Sequence, residues 1–143
     1  MNNINEIRNE FKRIVNDLDV HDSYKVFHDS PTHDGSPHVE KNGNDWFFIV
    51  TEKGSEFERV KSSDPNYILY LLIGCVTHNM ATRYELQNRV PNIDGRRIWF
   101  EYDIKLLKNI NPNWANWKRQ EYDMALKLHP FSDHNSAQQG NAP

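Results

Sequence analysis

The fold of this chain is decided by residues 42–52, which read Asn-Gly-Asn-Asp-Trp-Phe-Phe-Ile-Val-Thr-Glu. Aromatic and β-branched residues dominate the second part of this stretch, and they favour a β-strand. The Asn-Gly pair supplies the positive φ angles that a tight hairpin turn requires, so a partner strand is expected over residues 38–41. A second turn at Lys53-Gly54 leads into a polar strand from Ser55 to Lys61. The stretch therefore predicts a small antiparallel meander.

The residues before this stretch predict a helix, a short strand and a loop. Apolar residues recur at spacings of three and four up to about Asp19, which is typical of an amphipathic helix with one buried stripe: Ile4, Ile7, Phe11, Ile14 and Leu18. The period then changes to two over Tyr24, Val26 and His28, which indicates a short strand. Residues 29–37 are rich in turn-forming residues and are predicted to be an exposed loop.

Three helices are predicted after the meander. Asp64-Pro65 begins the first, because aspartate is a good N-cap and proline fits the first helical position. This helix is expected to stop near Val90, before Pro91. Asp94-Gly95 opens the second helix, whose expected buried stripe is Ile98, Trp99, Tyr102, Leu106 and Ile110. Asn111-Pro112 begins the third, which ends at His129-Pro130 and carries Trp114, Trp117, Met124 and Leu128.

These elements define an α+β fold with an N-terminal helix, a small antiparallel β-meander of three or four strands, and three C-terminal helices. A length of 143 residues suits one hydrophobic core, so residues 1–131 are predicted to form a single domain. Residues 132–143 are polar and lack periodicity, and they are predicted to be a flexible tail.

Cysteine content and apolar stretches bear on the compartment. The single cysteine, Cys75, excludes an intramolecular disulfide framework and favours a reducing compartment. The first residues lack the basic start and apolar run of a secretory signal. The longest apolar stretch, Tyr67 to Val76, is too short to span a bilayer, which needs about 20 residues. We therefore expect a soluble cytoplasmic protein, with Cys75 buried in this apolar stretch.

Acidic residues are concentrated in the front half of the chain. Residues 1–60 carry 12 acidic and 7 basic side chains, whereas residues 61–143 carry 8 acidic and 10 basic ones. Proteins that bind nucleic acid usually present a basic face, so this distribution argues against nucleic acid as the main partner. It suits docking against a basic protein.

Histidine and aspartate are adjacent three times, at His21-Asp22, His28-Asp29 and His33-Asp34, with His38 close behind. Imidazole and carboxylate groups bind zinc and other divalent ions. The spacings match no helix- or turn-based metal motif, so a polar loop is the preferred interpretation, and we expect no cofactor. The sequence also contains no pattern typical of nucleophilic or phosphate-binding catalysis, and we do not expect an enzyme.

Basic residues beside tryptophan, at Arg96-Arg97 and over residues 114–119, suggest nucleic-acid binding as an alternative. Trp114 and Trp117 lie three residues apart on a predicted helix, however, which favours a place in the core. The charged residues of the helices are interpreted as structural ion pairs, with i,i+4 spacing between Glu85 and Arg89 and between Arg97 and Glu101. The predicted ion-pair residues are Glu52, Glu85, Arg89, Arg96, Arg97 and Glu101.

The helical half contains a series of short motifs: Met80-Ala81-x-x-Tyr84-Glu85-x-x-x-Arg89, Asp94-Gly95-Arg96-Arg97-x-x-Phe100-Glu101, Leu106-Leu107, Trp114 and His129-Pro130-Phe131-x-Asp133. In this order they resemble the immunity protein 63 family. Upstream, Glu52-Lys53-Gly54 is similar to that family's Glu-Arg-Gly turn, with lysine in place of arginine. The resemblance covers about residues 36–133, and Gly95 stands where the family tends to have an aromatic residue.

The resemblance implies an immunity protein, encoded beside a bacterial polymorphic toxin, that binds and neutralises the toxin's C-terminal domain without catalysis. Many such toxin domains are nucleases with basic clefts, which an acidic partner suits. We hypothesise that the loop at residues 29–34 and the following hairpin form the toxin-binding face, through Asp29, Asp34, Glu40, Asn44, Asp45 and Trp46.

Two other functions stay open at the level of the sequence. A metal-dependent enzyme that reverses a toxin's modification would hold an ion through His28, Asp29, His33 or His38. A nucleic-acid-associated regulator would use Arg96, Arg97 and the helix that carries the tryptophans.

Overall fold

The computed structural model describes residues 1–134. Within these residues the chain forms, in order, α1 (Ile4–Asn16), a 3₁₀ helix (Asp22–Lys25), β1 (Asp34–Asn42), β2 (Asp45–Glu52), β3 (Ser55–Ser62), α2 (Pro65–Gln87), α3 (Arg96–Ile110) and α4 (Pro112–Leu128). The predicted α+β class is confirmed: an N-terminal helix and a three-stranded antiparallel sheet precede three helices. No helix in this part of the chain combines the length and the apolar character needed to cross a lipid bilayer.

The chain divides into two compact units, Met1–Val76 and Thr77–Pro143, with the boundary inside α2. The charge asymmetry follows this division, because the N-terminal unit carries 13 acidic and 8 basic side chains and the C-terminal unit 7 and 9. One domain over residues 1–131 stays a prediction. The predicted tail from residue 132 is bound at its start, since residues 132–134 are hydrogen bonded to residues 92–97. The rest of that tail lies outside the described residues.

In the N-terminal unit, α1 begins with a reciprocal cap. The Asn3 side chain accepts a hydrogen bond from the Glu6 backbone N–H at 2.9 Å, and the Glu6 carboxylate accepts one from the Asn2 N–H at 3.2 Å. The first of these bonds satisfies one of the N–H groups that a helix start leaves without a partner. The predicted apolar stripe is buried at Ile7, Phe11 and Ile14. The helix thus supplies one wall of the core of this unit.

The sheet has β2 at its centre, in the order β1-β2-β3. The β1–β2 turn is formed by Gly43 and Asn44, and only Gly43 has a positive φ, of 61°, as in a type II′ hairpin turn. In the paired register, Val39 lies opposite Phe48 on one face of the sheet and His38 lies opposite Ile49 on the other. All four of these side chains are buried, so the sheet contributes to the core from both faces.

The predicted short strand over Tyr24, Val26 and His28 is wrong. A 3₁₀ helix forms at Asp22–Lys25, because the Nδ1 of His21 caps it by accepting a hydrogen bond from the Ser23 N–H at 3.1 Å. The predicted loop over residues 29–37 is also too long, since β1 already begins at Asp34 with a bulge before Pro37. This bulge brings the end of the loop into the sheet.

Cys75 is exposed, contrary to the prediction that it is buried. Its apolar surroundings in the sequence form a helix, and successive residues of a helix point about 100° apart. The helix therefore buries Leu72, Ile73 and Val76 and leaves Cys75 at the surface.

In the C-terminal unit, the buried stripe of α3 differs from the prediction. The buried residues are Phe100, Asp103, Ile104 and Leu107, while the predicted stripe of Ile98, Trp99, Tyr102, Leu106 and Ile110 is half-buried. On α4, Trp114 is buried and Trp117 is half-buried, whereas Met124 and Leu128 are exposed. The sequence thus predicted the helices correctly but assigned the wrong face of α3 to the core.

Candidate functional site

The N-terminal unit contains a cavity of about 300 Å³. Its wall is mostly apolar and combines α1, the segment around the 3₁₀ helix, the start of β1, β2 and α2. Tyr24 and Val26 are 39% and 51% exposed, so the cavity is open to solvent on the side of this segment. The residues that line it are Phe11, Ser23, Tyr24, Val26, Phe27, His28, Asp34, Gly35, Ser36, Pro37, Val50, Leu72, Cys75 and Val76.

Asp34 supplies the negative charge of this cavity. Its carboxylate accepts a hydrogen bond from the Ser36 backbone N–H at 2.9 Å. This bond, together with hydrogen bonds from the hydroxyls of Thr32 and Ser36, lowers the pKa of Asp34 to about 2, because each favours the ionised form. Asp34 is therefore an anion at neutral pH.

Glu52 lies directly opposite Asp34 in the β1–β2 ladder. A Cβ atom added at Gly35 would lie 3.9 Å from Oε2 of Glu52, so the Glu52 carboxylate is close to the backbone beside Asp34. Within residues 1–134, neither carboxylate forms an ion pair with lysine or arginine. Like charges at directly opposite positions destabilise a sheet. Glu52 was predicted to form a structural ion pair, and in this part of the chain it forms none.

Asp29, the other carboxylate of this loop, has a partner. Its Oδ2 lies 2.6 Å from a terminal nitrogen of Arg8, and the Arg8 guanidinium lies 5.2 Å from the centre of the Phe27 ring. The loop is thus tied to α1 through one arginine that contacts both a carboxylate and an aromatic ring. Because this ion pair is exposed to solvent, it contributes little to stability.

The six residues of the hypothesised toxin-binding face do not form one patch. Asp29 and Asp34 lie at the loop end of β1, and the hairpin tip with Asn44 and Asp45 lies eight residues along the strand, about 26 Å away. Glu40 lies on the sheet face opposite to that of Val39 and accepts a hydrogen bond from Nε2 of His38 at 2.7 Å. Trp46 is 2% exposed and not the surface aromatic that was expected.

The clustered histidines of the sequence are dispersed in the structure. His38 is fully buried, His28 is half-buried at the cavity, and His21 and His33 are exposed. Within residues 1–134, the structure brings together no three histidine, cysteine, aspartate or glutamate side chains in an arrangement that could hold a metal ion. The residues named for a metal site, His28, Asp29, His33 and His38, are accordingly not assembled into one.

In the C-terminal unit, Asp94 and Arg96 tie the end of α4 to the start of α3. The Arg96 guanidinium donates to both Asp94 oxygens and to the backbone carbonyls of His129 and Pro130, at 2.8 and 2.9 Å for the carbonyls. Asp94 also accepts the backbone N–H groups of Arg96 and Ser132. The Arg96 guanidinium is the main reason why the pKa of Asp94 lies well below its usual range.

The remaining predicted ion-pair residues have different partners from those that the spacing suggested. Arg97 pairs with Asp133 at 2.8 Å and lies 4.0 Å from the centre of the Phe131 ring, and Glu101 pairs with Arg119 at 2.5 Å. The i,i+4 pair between Arg97 and Glu101 is therefore absent from the described residues. The i,i+4 pair between Glu85 and Arg89 is present, at 2.8 Å, with Glu85 buried.

These pairs also bear on the nucleic-acid alternative. Arg96, Arg97 and Arg119 each face a carboxylate at 2.8 Å or less, and Trp114 is 2% exposed. A surface that binds nucleic acid combines unneutralised basic groups with exposed aromatic rings. The residues named for this function do not offer that combination.

The cavity and two of its walls were not predicted from the sequence. Tyr24 and Val26 were assigned to a strand, and Cys75 to the core. The available signal was the presence of Tyr24 and Val26 as large apolar residues in an otherwise polar segment, next to the His-Asp pairs. That signal does not reveal that α1, the sheet and α2 leave a space between them.

The family of this chain follows from a comparison with family models. The model of immunity protein 63 matches residues 42–124, more than half of the 143-residue chain. The chain belongs to the immunity protein 63 family. No curated protein and no solved structure gives a significant match.

Proposed function

We propose that this protein neutralises a bacterial toxin by binding to its C-terminal domain, one chain to one domain, without catalysis. The observation that carries the proposal is the family match over residues 42–124. The matched region includes β2 and Glu52 of the acidic N-terminal unit and the ion pairs of the C-terminal unit. A small acidic protein of this kind acts by covering a basic surface of its target.

We infer that the toxin contacts the loop end of β1, around Asp34 and Glu52. Asp34 and Glu52 occupy opposite positions of the β1–β2 ladder there, at the edge of an open cavity, and neither has a lysine or arginine partner in the described residues. Asp29 lies in the same loop and is included in this surface. The hairpin tip at Asn44 and Asp45 is kept as a second, separate region. Glu40 is not retained because it lies on the other face of the sheet, and Trp46 is not retained because it is buried.

The charge of the N-terminal unit suggests the chemistry of the toxin. Its 13 acidic and 8 basic side chains give a negative surface, which speeds association with a positively charged partner. Nuclease domains need a basic cleft to hold the phosphate backbone of their substrate. We therefore propose a nuclease as the toxin, acting in the cytoplasm, where this protein would meet it.

Co-expression with the toxin domain encoded beside this gene tests the proposal. We expect cell survival and co-purification of an equimolar complex. The Asp34→Lys variant should lower both, and Glu58→Lys, which makes the same charge change on β3, is the matched control. Survival without any complex would contradict neutralisation by binding and would favour an enzymatic antidote. Death of cells that contain well-folded protein would contradict the function itself.

A further inference from the structure

The cavity of the N-terminal unit is large enough for one side chain of a partner. Its volume is about 300 Å³, and Phe11, Phe27, Leu72 and Val76 give it an apolar interior. An interior of this kind suits the aliphatic part of a long side chain. The charge at its edge decides which side chain that is.

The charge at the edge is negative and has no lysine or arginine partner within residues 1–134. Asp34 lines the cavity, and Glu52 stands opposite Asp34 in the ladder and on the same sheet face as Val50, another lining residue. Within residues 1–134 no lysine or arginine pairs with either carboxylate. A basic group from outside would pair with these carboxylates and complement this edge.

Two arginines of this chain show how its own architecture binds a guanidinium group. Arg8 pairs with Asp29 at 2.6 Å and lies over the Phe27 ring at 5.2 Å. Arg97 pairs with Asp133 at 2.8 Å and lies over the Phe131 ring at 4.0 Å. In both cases a carboxylate forms an ion pair with the guanidinium, and an aromatic ring lies against it. Arginine has a flat charged group that suits this double contact, and lysine does not.

The cavity offers the same two kinds of contact to a partner. Asp34 and Glu52 provide the carboxylates, and the half-exposed ring of Tyr24 forms part of the wall. We propose that an arginine side chain of the toxin enters this cavity, with its guanidinium against Asp34 and Glu52 and its stem between the apolar walls. The inference rests on the proposed function and names the chemical group by which the toxin is recognised.

Cys75 makes the cavity testable without altering the fold. It is the single cysteine of the chain, it is exposed, and it lines the cavity. Bound toxin domain should slow the reaction of N-ethylmaleimide with Cys75 by about tenfold or more. Protein that has already reacted should bind the toxin domain at least about tenfold more weakly, whereas protein treated with reagent that was first quenched by excess thiol should keep its affinity.

Charge removal tests the identity of the group. The Asp34→Asn/Glu52→Gln double variant should raise the Kd for the toxin domain by about tenfold or more, as loss of a close charge pair does. The matched control is Asp17→Asn/Glu58→Gln, which removes two charges of the same unit that do not line the cavity. Thermal unfolding of both double variants is the check that they are folded. In an arginine-to-alanine scan of the toxin domain, one variant should bind the natural protein more weakly. The same toxin variant should show no further loss of affinity toward the Asp34→Asn/Glu52→Gln protein.

The outcomes separate this inference from the function. The inference is overturned, and the function stands, if the complex forms while Cys75 still reacts as fast as in the unbound protein. The same conclusion follows if both double variants weaken binding equally. If no complex forms with the unmodified protein, both fail. Protection of Cys75 in a complex for which no arginine variant of the toxin domain behaves in this way would overturn the choice of group.

Discussion

Asp34 and Glu52 occupy directly opposite positions in the β1–β2 ladder, and neither forms an ion pair with a basic residue in the described part of the chain. Opposite charges at such positions stabilise a sheet and like charges destabilise it. The chain therefore carries an unfavourable arrangement at the edge of its cavity. A basic partner converts this arrangement into a favourable one, so stability and binding make opposite demands on these two residues.

This conflict predicts the effect of placing a basic residue in the ladder. The Glu52→Lys variant should be more stable, with a rise in Tm of up to about 3 °C, because a cross-strand pair with Asp34 replaces a repulsion. The same variant should bind the toxin domain more weakly. Thermal unfolding and a binding titration measure the two effects, with Glu58→Lys as control. A gain in both properties would contradict the role given to Glu52.

Acid should weaken the contact between Asp94 and Arg96. The folded state lowers the pKa of Asp94, so its ionised form contributes stability that is complete above the unfolded value of about 4 and is lost as the pH falls below it. Asp94→Asn should therefore lower Tm by about 3–6 °C at pH 7 and by progressively less below pH 4. Asp123→Asn on exposed α4 surface is the control. A difference that stays constant down to pH 2 would contradict this account.

Gly95 leaves room for a buried carboxylate. A Cβ atom at this position would lie 2.9 Å from Cδ and Oε1 of Glu85, whose carboxylate is 6% exposed and bound by Arg89. Gly95→Ala should therefore lower Tm in the natural background. In a Glu85→Ala background the same change should raise Tm, because alanine restricts the unfolded chain more than glycine does. Equal effects in the two backgrounds would show that the close approach is unimportant.

The Asp103 carboxylate is fully buried and accepts a hydrogen bond from the Tyr122 hydroxyl. Its other oxygen, Oδ1, is buried without a hydrogen-bond partner in the described residues. Tyr122→Phe should cost about 1–3 kcal/mol of unfolding free energy, because it removes a hydrogen bond to a buried group. Tyr102→Phe is the control, since the Tyr102 ring stacks on Tyr84 at 4.0 Å and keeps that contact without its hydroxyl. Equal losses in urea unfolding would contradict the prediction.

The sequence was sufficient for the elements whose signals are local. Asn111-Pro112 caps α4 as predicted, with the Asn111 side chain accepting from two backbone N–H groups, and the period of Ile7, Phe11 and Ile14 defines α1. These features depend on residues within one turn of each other. They can be predicted from the sequence because helix caps and hydrophobic periodicity depend on residues that are close together along the chain.

The sequence was not sufficient where distant residues decide the outcome. Arg97 has Glu101 four residues away, yet it pairs with Asp133, 36 residues along the chain, because the end of α4 returns to the start of α3. The buried face of α3 depends on what packs against it, and both of its faces contain apolar residues. The cavity arises from the spacing between α1, the sheet and α2, which no single stretch encodes.

A titration of toxin activity with purified protein tests the central claim most directly. A fixed amount of the toxin domain is mixed with increasing amounts of this protein, and the remaining toxin activity is measured after short and long incubation. Neutralisation by binding predicts a linear loss of activity that ends at one chain per toxin domain and does not change with time. Complete inactivation by a small fraction of an equivalent, progressing with time, would contradict it.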